Sequence, residues 1–363
     1  MRGRELHPVA WWLWALGLAA AASMTTNPLA LLVLVGVAAV AVALRRSDQP
    51  WSGAFRIYCW LAVVIVAVRV AFRLVFGTGT GHVLVDLPGL NLPDWAAGIV
   101  ILGPITREAL LAGLYDGLRL AAIVVCVGAA NALANPKRLL RSVPPALYEI
   151  GTALVVAVTM LPQLADSARR VRAAQDLRGG HSGRVGRLRR FVVPVLEDAL
   201  DRSLTMAAGM DTRGYGRSGD ATAGQRRRTG TLLILGLLGL CVGCYGALDP
   251  TAPGWLAAPM LVAGLALAVA GLSSAGRNVT RTRYRPDPWG LPEWVVAATG
   301  LVPAAAAWWV GRHEMLLAYP GLDSWPRLSA VTLAAAAVAL AAVLVAPVPP
   351  MSETTYALEE VPA

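Results

Sequence analysis

Eight stretches of this chain are apolar over lengths close to what a helix needs to cross a bilayer: 9–23, 28–44, 56–76, 108–134, 231–247, 255–272, 294–310 and 327–346. About 20 mostly apolar residues are required, and the bilayer core offers backbone amides no partner, so each span must satisfy its own amides as a helix. A further apolar segment, 146–163, is less uniform. The fold class that follows is all-α: a polytopic membrane protein with about eight transmembrane helices. Arg2 and Arg4 before the first run resemble a secretory signal, but no small-residue cleavage site follows and a second run starts at Asn27-Pro28, so both helices are retained.

Charge narrows the class further. The 363 residues are 56% hydrophobic and only 15% charged, with a mean hydropathy of +0.57, yet the net charge is +10. This hydrophobicity excludes disorder. Four cysteines are too few for a secreted disulfide scaffold. Lys137 is the single lysine and sits in Asn135-Pro136-Lys137-Arg138, so the chain lacks the glycine-rich turn and lysine of a P-loop. If ATP is used, another subunit binds it.

The arginines set an orientation, because basic loops stay cytoplasmic. Arg2, Arg4, Arg45, Arg46, Arg138, Arg141 and the cluster Arg277, Arg281, Arg283 and Arg285 read as cytoplasmic; 77–105, Asp249-Pro250 and 311–326 read as external; the acidic tail from Ser352 is cytoplasmic. A full crossing by 146–163 would place the most basic loop outside. That segment therefore makes no simple crossing: it lies obliquely, or it pairs with a further span near 92–105. The domains expected are N-terminal spans over 1–164, a cytoplasmic region over 165–230, C-terminal spans over 231–350 and a tail over 351–363.

Residues 165–230 hold 14 arginines against seven acids, a net of +7 in a chain whose total is +10. Two amphipathic helices fit there. Leu161, Leu164, Ala168, Val171 and Ala174 recur at helical spacing before Gly179-Gly180. Val193, Leu196, Leu200, Leu204 and Ala207 do the same, with Pro194 in the first turn and an end at Gly214 or Gly216. The first finishes Ala-Gln-Asp-Leu-Arg-Gly (174–179) and the second Gly-Met-Asp-Thr-Arg-Gly-Tyr-Gly (209–216). In each, a glycine turns the backbone and leaves an arginine at a helix end. One such ending reads as a cationic cap on the helix dipole. Two in one basic loop favour docking, since the rigid guanidinium fork suits a partner's carboxylates.

From Tyr115-Asp116-Gly117-Leu118-Arg119 to Arg217 the chain resembles the transmembrane T-component of energy-coupling factor (ECF) transporters, the EcfT/CbiQ family. The landmarks, in order, are Asp116-Gly117-Leu118-Arg119, Asn135-Pro136-Lys137-Arg138-Leu139-Leu140, Leu161-Pro162, Arg172-Ala173-Ala174-Gln175-Asp176-Leu177-Arg178-Gly179 and Gly209-Met210-Asp211-Thr212-Arg213-Gly214-Tyr215-Gly216. The family's paired signature is usually Ala-Arg-Gly; here Leu177 and Thr212 replace its alanines. Four apolar spans follow the coupling region, more than the family commonly has.

The resemblance implies a non-catalytic subunit of a bacterial inner-membrane importer. Its Arg178 and Arg213 would dock into two ABC-type ATPase subunits, shaped by Leu177, Gly179, Thr212, Gly214 and Tyr215. Leu164, Val171, Leu196, Leu200 and Leu204 would touch a small integral-membrane S-component carrying a vitamin or a transition-metal ion such as cobalt or nickel. No cofactor is expected on this chain; ATP and Mg belong to the partners. The basic excess then meets anionic lipid and protein rather than nucleic acid.

Other candidates read as ordinary. Cys241 and Cys244 are small apolar residues of a span, and His7, His82, His181 and His313 share no ligand spacing. His82 with Asp86 is a loop pair, and Arg69 and Arg73 snorkel from the outer end of their span. The competing class, a self-contained secondary transporter or channel, calls for ionisable residues deep in several spans, and acids there are rare.

Overall fold

The structure, a computed structural model, describes residues 5–47, 53–76, 81–86, 90–91, 100–101, 103–142, 148–178, 184–215, 222–249, 251–277 and 287–347. Its helices are α1 (Pro8–Ser23), α2 (Pro28–Arg45), α3 (Phe55–Phe76), α4 (Arg107–Leu133), α5 (Pro136–Arg141), α6 (Tyr148–Arg178), α7 (Arg184–Asp211), α8 (Ala223–Leu248), α9 (Ala258–Arg277), α10 (Leu291–His313), α11 (Met315–Ala318) and α12 (Ala330–Val345). Between α3 and α4, β1 (Val83–Val85) pairs antiparallel with β4 (Ile105–Thr106), and β2 (Leu90–Asn91) with β3 (Val100–Ile101). The chain is thus an all-α polytopic membrane protein.

Among the described residues seven helices are long and apolar enough to span: α2, α3, α4, α6, α8, α9 and α10. The first and last expected spans, α1 and α12, are 16 residues each. At 1.5 Å per residue each is about 24 Å long, short of the ~30 Å hydrocarbon core. From Tyr148 on, the segment 146–163 and the first amphipathic helix are one continuous helix, α6, with Pro162 inside it; 146 and 147 lie outside the described residues. Proline removes one amide donor and favours a bend, but helix on both sides carries the chain through. Of the region proposed for a hidden span, 92–99 lies outside the described residues, and the residues after it form β3 and β4.

Contacts divide the chain into two units. The first comprises residues up to Leu139 together with those from Asp287 onward; the second comprises Leu140–Pro286. The spans that follow the coupling region are therefore shared: α8 and α9 belong to the second unit, α10 and α12 to the first.

In the first unit α1 is the centre. Trp14 and Leu18 are fully buried, and the helix packs on α4 and α10. Apolar all round, it suits a core position rather than a lipid face. Gly17 of α1 and Gly300 of α10 meet backbone to backbone. Hydrogen bonds stitch the two ends of the chain together. Trp14 Nε1 donates to the Ala339 carbonyl at 3.0 Å, Arg45 Nε to Val343 at 2.8 Å and Thr25 Oγ1 to Ala318 at 2.7 Å. Asn27 caps α2 through Oδ1, accepting from Leu29 and Ala30, while its Nδ2 donates to the Leu317 and Arg327 carbonyls at 2.8 and 2.7 Å.

In the second unit α8 and α9 pack along their lengths on glycines. A Cβ on Gly239 would sit 2.9 Å from Gly264 Cα, and one on Gly236 2.6 Å from the Ala268 nitrogen. Without side chains at these positions the two backbones touch, which is how helices associate where lipid removes the hydrophobic drive.

At one end of the first unit His7 caps α1, with Nδ1 accepting from the Val9 amide at 3.3 Å, and its ring meets Trp289 edge-on at 5.0 Å. Burial, helped by nearby Arg138, lowers the His7 pKa from 6.5; Asp287 and Glu293 pull the other way. Because the folded value lies below the unfolded one, the unfolded chain takes up the proton first, and the associated stability, complete above 6.5, is lost as pH falls below it. The thermal midpoint of the purified protein is expected to drop between about pH 7.5 and pH 5.5, with part of that drop absent in His7→Asn. Equal pH slopes in the two proteins would refute the assignment.

Candidate functional site

The helix ends singled out in the sequence lie on α6 and α7. The α7 terminus is fully described. Tyr215 N donates to the Met210 carbonyl at 3.1 Å and Gly214 N to Asp211 at 2.9 Å, with Gly214 at φ +74°. Those paired bonds are a Schellman ending, which needs a left-handed residue that glycine adopts at least cost. Arg213 is the residue just before that glycine. Thr212 bonds back through Oγ1 to the Gly209 carbonyl at 3.0 Å. Residues 211–215 are all exposed, and Arg213 makes no ion pair among the described residues. On α6, Leu177 is 89% exposed and Arg178 is the last helical residue. The Arg178 side chain and Gly179 lie outside the described residues.

One expectation is corrected. The second amphipathic helix begins at Arg184, so Pro194 is interior rather than in the first turn. Leu188 and Val192 extend the Leu196 series backward at a helical spacing of four, and the intervening arginines are good helix formers. Of the apolar candidates, Leu164 and Val171 are half-buried, while Leu196, Leu200 and Leu204 are 54%, 62% and 69% exposed along one row of α7.

Sequence reasoning missed the joint between these helices. Unlike α8 and α9, α6 and α7 meet over a short stretch. There Asp198 of α7 faces Arg170 of α6 at 3.6 Å and accepts from Arg202 Nε at 3.1 Å, while Arg202 Nη1 donates to Gln163 Oε1 at 3.3 Å. Ser167, buried on α6, and then Arg202 hold the Asp198 carboxyl below the usual carboxylate range. The only advance signal was the Asp198/Arg202 spacing of four. From this joint to the α6 terminus is about 16 Å of helix, and to the α7 terminus about 20 Å.

The first landmark of the resemblance holds α4 in place. Asp116 pairs with Arg73 of α3 at 3.2 Å. Gly117 abuts the Val66 backbone, and Arg119 donates to the Ser23 carbonyl at the end of α1. His82 accepts at its carbonyl from the Arg107 amide, and Cys241 and Cys244 are free thiols on α8. Among the described residues no three His, Cys, Asp or Glu side chains converge as metal ligands.

The CbiQ family model, described as cobalt transport protein, matches residues 3–222. The chain belongs to this family. No curated protein matches it. CbiQ membership implies a membrane component of cobalt transport, of a kind that generally works with ATPase partners. The CbiQ match ends at Thr222, the N-cap of α8. It takes in α1 to α7, with the α6–α7 joint and both arginine-bearing ends, and leaves α8 to α12 outside.

Proposed function

We propose that this chain is the coupling subunit of an ECF-type ABC importer. It passes ATP-driven motion from two ABC-type ATPase subunits to a small integral-membrane S-component, which carries a vitamin or a transition-metal ion, cobalt or nickel, inward across the bacterial inner membrane. It performs no hydrolysis: ATP and Mg are held by the ATPases. The α6–α7 region faces the cytoplasm, where Arg178 and Arg213 each enter an acidic groove on one ATPase. The row Leu196, Leu200 and Leu204, with Leu164 and Val171, meets the S-component.

One observation carries this reading. Two long helices, pinned together by the Arg170–Asp198 pair, reach roughly 16–20 Å beyond it, and the described tip presents Arg213 on a glycine-locked turn, exposed and without an ion-pair partner among the described residues. A permanently charged fork at the end of a rigid arm suits capture of a carboxylate-lined groove. Mild detergent extraction from native membranes is expected to recover the chain with two ATPase polypeptides and one small integral-membrane protein. Recovery of the chain without ATPases would overturn the proposal in favour of a self-contained transporter.

A further inference from the structure

The second unit is an insertion in the first. The chain leaves the first unit after Leu139 and re-enters it at Asp287. Both stems of that insertion converge on one side chain. Arg138, one residue before the exit, donates through Nε and Nη2 to the two carboxylate oxygens of Asp287 at 2.9 and 2.7 Å, a fork-on-fork pair. Its Nη1 donates to Glu5 Oε2 at 2.8 Å and reaches the Leu6 carbonyl at 3.4 Å, and Nη2 also reaches the Glu5 carbonyl at 3.4 Å.

Local structure aims the guanidinium. Asn135 Oδ1 accepts from the Lys137 and Arg138 amides at 3.1 and 3.4 Å, and Pro136 sets the first helical φ, so α5 starts where it must to present Arg138. The returning stem is also fixed independently of Arg138. Trp289 lies edge-on to both His7 and Trp294, and buried Glu293 accepts from the Gly290 amide at 2.9 Å. The Arg138 side chain is 21% exposed and that of Asp287 38%. Such a bidentate pair is directional even where its acid meets solvent, because both guanidinium donors are matched to both carboxylate oxygens.

We propose that Arg138 is a positioning residue for transport. It fastens the outgoing and returning stems of the insertion to each other and to the N-terminal segment, so that a pull on the coupling helices reaches the membrane bundle as one displacement instead of parting the stems. This rests on the coupling-subunit reading above. Lysine cannot replace the fork, because a single ammonium bonds Asp287 and Glu5 with no fixed plane.

The test uses the full complex, co-purified with its ATPases and reconstituted in liposomes, with Co2+ as the transported probe. ATP hydrolysis and Co2+ uptake are measured for wild type, Arg138→Ala, Arg138→Lys and Asp287→Asn. The expected result is hydrolysis and ATPase stoichiometry close to wild type, with uptake per ATP falling on the order of tenfold in Arg138→Ala and Asp287→Asn and by less in Arg138→Lys. Unchanged uptake per ATP in these variants overturns the proposal. So does a parallel fall of hydrolysis and uptake in the lysine variant with its melting temperature intact, since that marks impaired ATPase action rather than lost coupling. Failure of the wild-type chain to bring down ATPases is a separate result that removes the coupling reading itself.

Discussion

Arg213→Ala is expected to release one ATPase from the complex and abolish uptake, while leaving the chain folded in the membrane. Arg213 contributes nothing visible to this chain's own fold. It is exposed, has no ion-pair partner among the described residues, and sits at a turn whose hydrogen bonds are all backbone or Thr212. Its removal therefore acts on binding. Truncating one member of a desolvated charge pair costs about 2–5 kcal/mol, much of it the penalty on the carboxylate left behind, or a loss of roughly thirtyfold to several-thousandfold in affinity. Arg178→Ala should do the same at the other ATPase. Gly214→Ala is a useful companion, because a Cβ at φ +74° is strained by about 1–2 kcal/mol and would re-aim the arginine without removing it. Intact co-purification of both ATPases by the Arg178→Ala, Arg213→Ala double variant would dismiss the docking role.

The second large effect concerns the part of the chain outside the family match. A chain ending at Pro286 keeps every residue of that match and the whole second unit, yet it is expected not to accumulate as a folded protein. It loses the acceptors for Trp14 Nε1, Thr25 Oγ1, Asn27 Nδ2 and Arg45 Nε, and the helix against which Gly17 packs. Each of the buried donors on Trp14, Thr25 and Asn27 costs about 1–3 kcal/mol when left unpaired, and water cannot rescue those at membrane depth. Together these losses match the 5–15 kcal/mol that holds a typical protein folded. Membrane yield and resistance to limited proteolysis, compared with full length, are the measurements. A protease-resistant 1–286 fragment at full-length yield would show that α10 and α12 are an accessory layer.

Much of this was legible beforehand. Apolar runs of membrane length became helices because nothing else survives in lipid. The Gly209–Tyr215 pattern became a Schellman ending because only glycine takes the left-handed turn cheaply. What escaped was partnership. Hydropathy marks a helix as unfit for water but is blind to whether its neighbour is lipid or protein. It therefore did not show that α1 is wrapped by helices from the far end of the chain while α3 buries only Ala62. Proline misplaced one boundary for a related reason: Pro194 lies inside a helix that already runs from Arg184. The clasp at Arg138 joins residues 133 and 149 positions apart, a separation no local pattern encodes.

The stitching of the two termini also fixes an order of events during synthesis. The indole of Trp14 must wait for a carbonyl made 325 residues later. At about 5–20 residues per second, that is tens of seconds on the ribosome. Throughout that interval the first helix is in the membrane with its eventual neighbours α10 and α12 not yet made. Until then α1 has only its early partners α2 and α4, and the first unit closes when the last helices join them.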